Sequence, residues 1–126
     1  WTLHDQWAFT GGCHYSRGCE RFKTHCRQCP FLSRPGDHDL AARIFEKKRR
    51  IFENAPLTIV ACSEWLAGET RQSALLGDFP IQAIPNPIDT AVWQPTDRAV
   101  ARQTLGLPLD KKLVLFGAGN LRDERK

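Results

Sequence analysis

The chain has 126 residues, of which 41% are hydrophobic and 25% are charged, so it is long enough to form a domain with its own core. No stretch of these residues is long enough to span a membrane, and we recognise no signal peptide in them. The formal net charge is +4, with the positive excess in the first half of the chain, and such a surface suits phosphate groups.

The two ends of the chain are typical of the interior of a longer protein. It begins without Met, on residues 1–4, which resemble the end of a strand. It stops in a charged turn just after another apolar, strand-like run. We therefore expect an internal piece of a longer protein. The lack of a recognised export signal favours a cytoplasmic location.

A cysteine-rich loop follows the first strand, at residues 11–36, and is rich in Gly, Arg and His. It has little apolar material to bury, so something other than a core must order it. Four thiolates around one Zn²⁺ would do so, and the last pair has the Cys-x-x-Cys spacing of many zinc sites. The predicted ligands are Cys13, Cys19, Cys26 and Cys29.

Other interpretations of these cysteines stay open at this point. Two disulfides or free thiols are the alternatives, and His14 or His25 could replace a cysteine as ligand. A reducing compartment favours metal over disulfides. A fifth cysteine, Cys62, lies in an apolar run and is predicted to be a small buried core residue.

A helix is predicted from near Asp37 or Asp39 to Asn54, with Asp37 able to cap it and Pro56 ending it. It carries the basic run 47–50, which suits either phosphates or a solvated helix face. The apolar residues that recur at helical spacing are Leu40, Ile44, Phe45, Ile51 and Phe52.

A strand, a helix and a second strand come next. The β-branched run 57–62 predicts a strand buried on both faces of a parallel sheet. Ser63 is predicted to cap a helix from Glu64 to about Leu76, which Gly77 stops. The run 81–84 predicts the next strand. This alternation indicates an α/β fold with a parallel sheet.

The remaining residues indicate a linker and the start of a second domain. The proline-containing segment 85–95 is typical of a linker, and a helix is predicted from about Asp97 to Leu105. A strand is predicted at residues 111–117, and small residues follow it. A strand followed by a glycine-containing turn is typical of the start of a nucleotide-binding domain. We expect residues 1–88 to end one Rossmann-like domain and residues 89–126 to form the linker and first strand of another.

Several motifs occur in the order seen in family-4 glycosyltransferases, which the chain resembles over nearly its whole length. They are Trp1-Thr2-Leu3-His4-Asp5-x-Trp7, Thr10-Gly11-Gly12-Cys13-His14-Tyr15, Cys29-Pro30, Ser63-x-Trp65-Leu66 and Ile84-Pro85-Asn86-Pro87-Ile88-Asp89-Thr90. Within that family the likeness is to the bacterial colanic-acid and capsule or exopolysaccharide branch. The resemblance implies the GT-B fold, in which two Rossmann-like domains face each other across a cleft.

The resemblance also implies roles for particular residues. His4 would hydrogen-bond a hydroxyl of the donor sugar, with Asp5 either orienting it or capping the loop. Asn86 and Asp89 would lie at the domain crossover, where turn chemistry is the alternative to ligand contact. Lys126 matches a Lys that grips the donor pyrophosphate, with Arg122 or Arg125 as its helper, since Ala118 stands where many members carry an Arg.

The implied partners are a nucleotide-sugar donor and a glycan or lipid-linked acceptor. Retaining transfer in this fold needs no catalytic metal, and a zinc site with four thiolates would have no open position, so any zinc would be structural. No residue is predicted to be a general acid, base or nucleophile. The alternative function is that of a binding module, in which a zinc-stapled basic loop binds nucleic acid. The scarcity of aromatic residues in the loop argues against this alternative.

Overall fold

Three short parallel strands form the sheet in this computed structural model, which describes residues 1–117. The strands are β1 (Thr2–Leu3), β2 (Ile59–Ala61) and β3 (Ile81–Ala83), in the order β1-β2-β3. The helices are α1 (Leu40–Phe52), α2 (Glu64–Arg71) and α3 (Arg98–Thr104). Short 3-10 turns occupy Trp7–Phe9 and Arg21–Lys23. The predicted α/β class with a parallel sheet is confirmed.

The chain divides into two compact units, Trp1–Asn86 and Pro87–Lys126. The first holds the sheet, the Cys-rich loop, α1 and α2. The second contains α3, none of whose residues is buried, and Asp97 caps this helix with its carboxylate, which accepts from the backbone N–H groups of Ala99 and Val100.

The core of the first unit is built from both helices, the sheet and the Cys-rich loop. Aromatic packing joins the loop to this core, since the rings of Phe9 and Phe22 lie 5.4 Å apart. The largest fully buried apolar side chains are Phe9, Phe45, Ile59, Leu66 and Leu76. Burial of this kind stabilises the fold by about 25 cal/mol for each Å² of apolar surface removed from water.

Asp39 rather than Asp37 caps α1. The Asp39 carboxylate accepts from the backbone N–H of Ala42 at 2.9 Å and also from that of Cys29 at 2.8 Å. Asp37 instead accepts from the side-chain amide of Gln28 at 2.9 Å. The prediction that Asp37 caps the helix is wrong, because Asp39 can bond the helix and the loop with one carboxylate.

α2 ends at Arg71, earlier than the predicted end at Leu76. The hydroxyl of Ser73 accepts from the backbone N–H groups of Leu75 and Leu76, at 3.0 and 3.4 Å, and so starts a turn in place of another helical turn. The predicted cap at the other end is confirmed, because the Ser63 hydroxyl accepts from the N–H of Leu66 at 3.2 Å.

Two further details differ from the predictions. Residues 113–116 do not form a strand, and Val114 and Leu115 are almost fully exposed. Within residues 1–117 no neighbouring strand offers them hydrogen-bond partners, and a strand without a partner is not stable. Cys62 is only partly buried, although it packs against the core.

Candidate functional site

The carboxyl ends of the three strands lie at the same edge of the sheet. Leu3 of β1 is in register with Ala61 of β2, which is in register with Ala83 of β3. His4, which directly follows β1, therefore lies at the edge where open parallel sheets bind their ligands. Its side chain is exposed, so its two ring nitrogens are accessible as hydrogen-bond donor and acceptor.

Asp5 organises the loop after β1. Its carboxylate accepts from the backbone N–H of Trp7 at 2.8 Å and lies 2.7 Å from Nδ1 of His14. Burial acts to raise the pKa of Asp5, but the hydrogen bonds from His14 and Trp7 leave that pKa below its ordinary value. Among the residues that the structure describes, these bonds cap the loop and orient His14 rather than His4.

The N-terminus of α2 lies at the same edge as His4, because the helix starts directly after β2. Helix N-termini present unpaired N–H groups that attract anions, and here Ser63 satisfies one of them. Glu64 adds a negative charge to the first turn. The edge therefore combines an exposed imidazole, a helix N-terminus and one carboxylate.

The other predicted site residues are distributed over both units and beyond. Asn86 is exposed at the end of the first unit, after β3. Asp89 belongs to the second unit and forms an Asx turn, in which its carboxylate accepts from the N–H of Ala91 at 2.9 Å. Arg125 and Lys126, with Ala118 and Arg122, lie outside the described residues.

All five cysteines of the chain are free thiols. Burial raises the pKa of the Cys13 thiol, and the charges of Cys29 and Cys19 act in the same direction. Burial likewise raises the pKa of the Cys26 thiol to about 11, and Cys13, Cys19 and Cys29 act in the same direction. The backbone N–H of Gly11, which donates to Sγ of Cys26 at 3.2 Å, acts to lower this pKa. The four predicted ligands therefore act on one another, although across residues 1–117 no three Cys, His, Asp or Glu side chains form a group that could hold a metal ion as they stand.

Lys48 is a buried cation beside these thiols. Its ammonium donates to the backbone oxygens of Trp7 and Thr10, the latter at 3.0 Å, and lies 3.8 Å from the centre of the Trp7 ring. Burial lowers the pKa of Lys48 to about 8, while Cys26, Cys13 and Asp5 act to raise it. Lys48 thus joins α1 to the start of the Cys-rich loop.

The basic run that contains Lys48 was predicted as a surface feature, and for Lys48 that prediction is wrong. The helical spacing of Ala41, Phe45 and Phe52 could have predicted the burial of Lys48, because Lys48 lies on the same face of α1 as these three residues. Lys47, Arg49 and Arg50 do remain on the solvent side.

An open groove of about 720 Å³ runs along the outer side of α1 and was not predicted from the sequence. Four cationic side chains line it, those of Arg27, Arg43, Lys47 and Arg50, together with the carboxylates of Asp37 and Glu46. The hydrogen bond from Arg49 lowers the pKa of Glu46, so this carboxylate stays charged and offsets part of the positive charge. The ring of His25 lies at the inner side of the groove, 5.2 Å from that of Phe45.

None of the helices found in residues 1–117 has the length and apolar character needed to cross a bilayer.

Comparisons with known proteins identify glycosyltransferases as relatives. The chain is 44% identical over 114 residues, 86% of its length, to WcaC of Escherichia coli (strain K12), which carries a provisional assignment as a colanic acid biosynthesis glycosyl transferase. It is 37% identical over 78 residues, 56% of its length, to a D-inositol 3-phosphate glycosyltransferase of Acidothermus cellulolyticus. The chain spans 28% of the first relative and 17% of the second.

No family model matches the chain, and no solved structure matches it. The aligned part of WcaC nevertheless covers most of the chain, and the parallel α/β architecture agrees with that relationship. The resemblance predicted from the motifs is therefore confirmed, and the chain is a homologue of bacterial family-4 glycosyltransferases.

Proposed function

We propose that the chain is part of a retaining glycosyltransferase of surface polysaccharide biosynthesis. The enzyme would transfer a sugar, such as a hexose, from a nucleotide-sugar to a glycan or a lipid-linked acceptor. The observation that carries this proposal is the 44% identity to WcaC over 86% of the chain. It is supported by the exposed His4 directly after the first strand of a parallel sheet.

His4 has the chemistry needed to hold the donor sugar. An imidazole at the carboxyl end of a strand can donate a hydrogen bond from one nitrogen and accept one at the other. A bond that becomes stronger as the sugar develops positive charge would accelerate transfer. The departing diphosphate would be met by Lys126 with Arg125 or Arg122, while Asn86 and Asp89 would set the crossover between domains.

The acceptor would lie on the side of the Cys-rich loop. Arg27, Arg43 and Arg50 line one groove, and guanidinium groups bind the oxygens of phosphates in pairs. A lipid-linked acceptor carries a diphosphate of that kind and would bring the enzyme to the membrane periphery from the cytoplasm. Binding of nucleic acid is not part of this proposal. The 126 residues alone would be inactive, because the residues that bind the donor nucleotide would lie mainly in the second domain.

The test is the substitution His4→Ala in the full-length enzyme. Loss of a hydrogen bond that acts mainly in the transition state should cost about 2–3 kcal/mol, or about 100-fold in kcat/KM. His4→Gln should recover part of the loss, because its amide can also donate and accept. Thermal unfolding of both variants should match the wild type, since the His4 side chain is exposed.

Two results would contradict the proposal. Wild-type kinetics in a folded His4→Ala variant would remove the role of His4 while leaving the transferase activity itself intact. Absence of transfer from every nucleotide-sugar in a panel, with lipid-linked and free glycan acceptors, would overturn the proposed activity.

A further inference from the structure

We propose that Gln6 and Glu69 are positioning residues for His4. Their side-chain hydrogen bond ties the loop after β1 to α2 and thereby holds the imidazole in place at the carboxyl edge of the sheet. This inference rests on the proposed transferase function, because it explains how the site marked by His4 is kept in order. Neither side chain would touch the sugar, and both would act through the backbone that carries His4.

Gln6 is a buried polar residue in a loop whose neighbouring residues reach the solvent. Only 1% of its surface is accessible, whereas the side chains of His4 and Trp7 are exposed and that of Asp5 is half-buried. Glutamine is mostly found on protein surfaces, because its amide loses hydrogen bonds to water when it is buried. An apolar side chain would fill the same space without that cost. The burial of Gln6 is therefore compensated by the bonds that its carboxamide makes.

Those bonds connect three separate segments of the chain. Nε2 of Gln6 donates to Oε2 of Glu69 in α2 at 3.0 Å, across 63 positions of sequence. Oε1 of Gln6 accepts from the backbone N–H of Ser16 in the Cys-rich loop. The backbone N–H of Gln6 also donates to the carbonyl oxygen of His14 in that loop, at 3.0 Å. One buried residue thus joins the loop after β1 to α2 and to the Cys-rich loop.

The packing of α2 gives Glu69 a fixed position from which to hold Gln6. Leu66, Ala67 and Thr70 of this helix are buried, and the Thr70 hydroxyl donates to the carbonyl oxygen of Leu66 at 2.7 Å. No ion pair formed within residues 1–117 includes Glu69, so its carboxylate is available to the Gln6 amide. A carboxylate is a stronger acceptor than a neutral carbonyl. The Gln6–Glu69 bond therefore restrains the loop relative to a packed helix.

His4 has few other anchors among the described residues. β1 is only two residues long and ends at Leu3, so the sheet fixes the chain on one side of His4 alone. The carboxylate of the neighbouring Asp5 is engaged by His14 rather than by His4. On the other side, Gln6 is the first buried residue after His4. The imidazole is therefore held between Leu3 and Gln6, and loss of the bond from Gln6 to α2 would loosen one of these two supports.

The first experiment measures kcat and KM of the full-length enzyme with Gln6→Leu, in which a side chain of similar volume removes both bonds of the carboxamide. We expect kcat/KM to fall about 10-fold, through kcat rather than KM, because a loosely held imidazole spends less time in the productive geometry. The same substitution in a His4→Ala background should change kcat/KM by less than about 2-fold, because no imidazole remains to be positioned. A role in folding alone would give equal losses in both backgrounds. The matched control Gln72→Leu, which removes an exposed amide bonded to the carbonyl oxygen of Gly68, should keep wild-type kinetics.

An exchange of the two side chains tests the bond itself. Gln6→Glu alone would place two carboxylates against each other, so kcat/KM should fall at least as far as in Gln6→Leu. Adding Glu69→Gln returns a bond between an amide and a carboxylate at the same place, and this double variant should recover to within about 3-fold of the wild type. If Gln6→Leu does not fold, Glu69→Ala takes its place, because it removes the acceptor from a half-buried position.

Hydrogen exchange gives a readout that does not require activity. In full-length Gln6→Leu, the backbone N–H groups of residues 2–7 should exchange about 10-fold faster than in the wild type, while those of α2 should not change. Unchanged exchange at residues 2–7 would overturn the proposal. Equal kinetic losses in the wild-type and His4→Ala backgrounds, or a double variant no more active than Gln6→Glu, would do the same. Absence of transfer from every donor would instead contradict the proposed function, and hydrogen exchange would then decide whether Gln6 holds His4 in place.

Discussion

The contact between the Cys-rich loop and α1 can be tested by adding a single methyl group at Gly11. A Cβ there would lie 2.7 Å from the carbonyl oxygen of Ala41, 2.9 Å from its Cβ and 2.9 Å from the Cβ of Cys26. All three distances are shorter than real Cβ contacts, and one involves rigid helix backbone. The loop must therefore move away from α1 to accommodate alanine.

The expected cost of Gly11→Ala follows from that geometry. Overpacking a well-packed site typically costs about 1–3 kcal/mol, and this site should lie at the upper end because the movement also strains the bond from the Gly11 N–H to Cys26. For a unit of this size, about 3 kcal/mol corresponds to a fall in Tm of at least about 12 °C. Urea unfolding followed by tryptophan fluorescence would measure the change.

Gly68→Ala is the matched control for this experiment. Gly68 lies inside α2, and a Cβ there would meet nothing within 4 Å. Alanine should stabilise that helix by up to about 1 kcal/mol. If Gly11→Ala unfolds at the same urea concentration as the wild type while Gly68→Ala is stabilised, the close packing of loop on helix is refuted.

The remaining predictions concern the pH dependence of stability and a helix cap. Burial lowers the pKa of Lys48 from its ordinary 10.5 to about 8 in the folded protein. Between these two pH values the unfolded chain binds more protons than the folded one. The free energy of unfolding of the metal-free protein should therefore increase as the pH rises from about 8. The pKa of Cys26 is raised to about 11, so this thiol lowers the stability of the folded protein as the pH rises above 9. Subtracting the free energy of unfolding of Lys48→Met from that of the wild type therefore isolates the contribution of the lysine. If this difference does not change between pH 7 and 10, the buried ammonium is contradicted. Ser63→Ala should cost about 1 kcal/mol in thermal unfolding through loss of the α2 cap, and Ser63→Asp should restore it; equal stability of all three proteins would show that the cap contributes nothing.

The parallel α/β unit could be predicted from the sequence because its signals are local. Short β-branched runs marked β2 and β3, and a serine directly after β2 marked the start of α2. The end of α2 was missed because the hydroxyl of Ser73 forms bonds to Leu75 and Leu76, which helical periodicity does not reveal. The choice between Asp37 and Asp39 depended on Cys29, ten residues away in the chain.

The candidate site was only partly predictable for a similar reason. His4 could be placed at a strand end from its position alone, and the structure puts it at the carboxyl edge of the sheet. The burial of Lys48 required knowledge of which loop covers α1, since its two carbonyl partners lie 38 and 41 residues earlier. The basic groove likewise joins Arg27 of the loop to the helix, and only the folded chain brings them together.

The connections between the strands have a consequence for the order of folding. β2 and β3 are joined through α2 alone, whereas the chain must close the whole Cys-rich loop and α1 before β1 can pair with β2. Closing the longer connection costs more entropy, and β1 contributes only two residues in return. We expect β1 to join the sheet last and to leave it first. Because His4 is attached to β1, whatever orders the Cys-rich loop also sets how much of the time that imidazole is held in place.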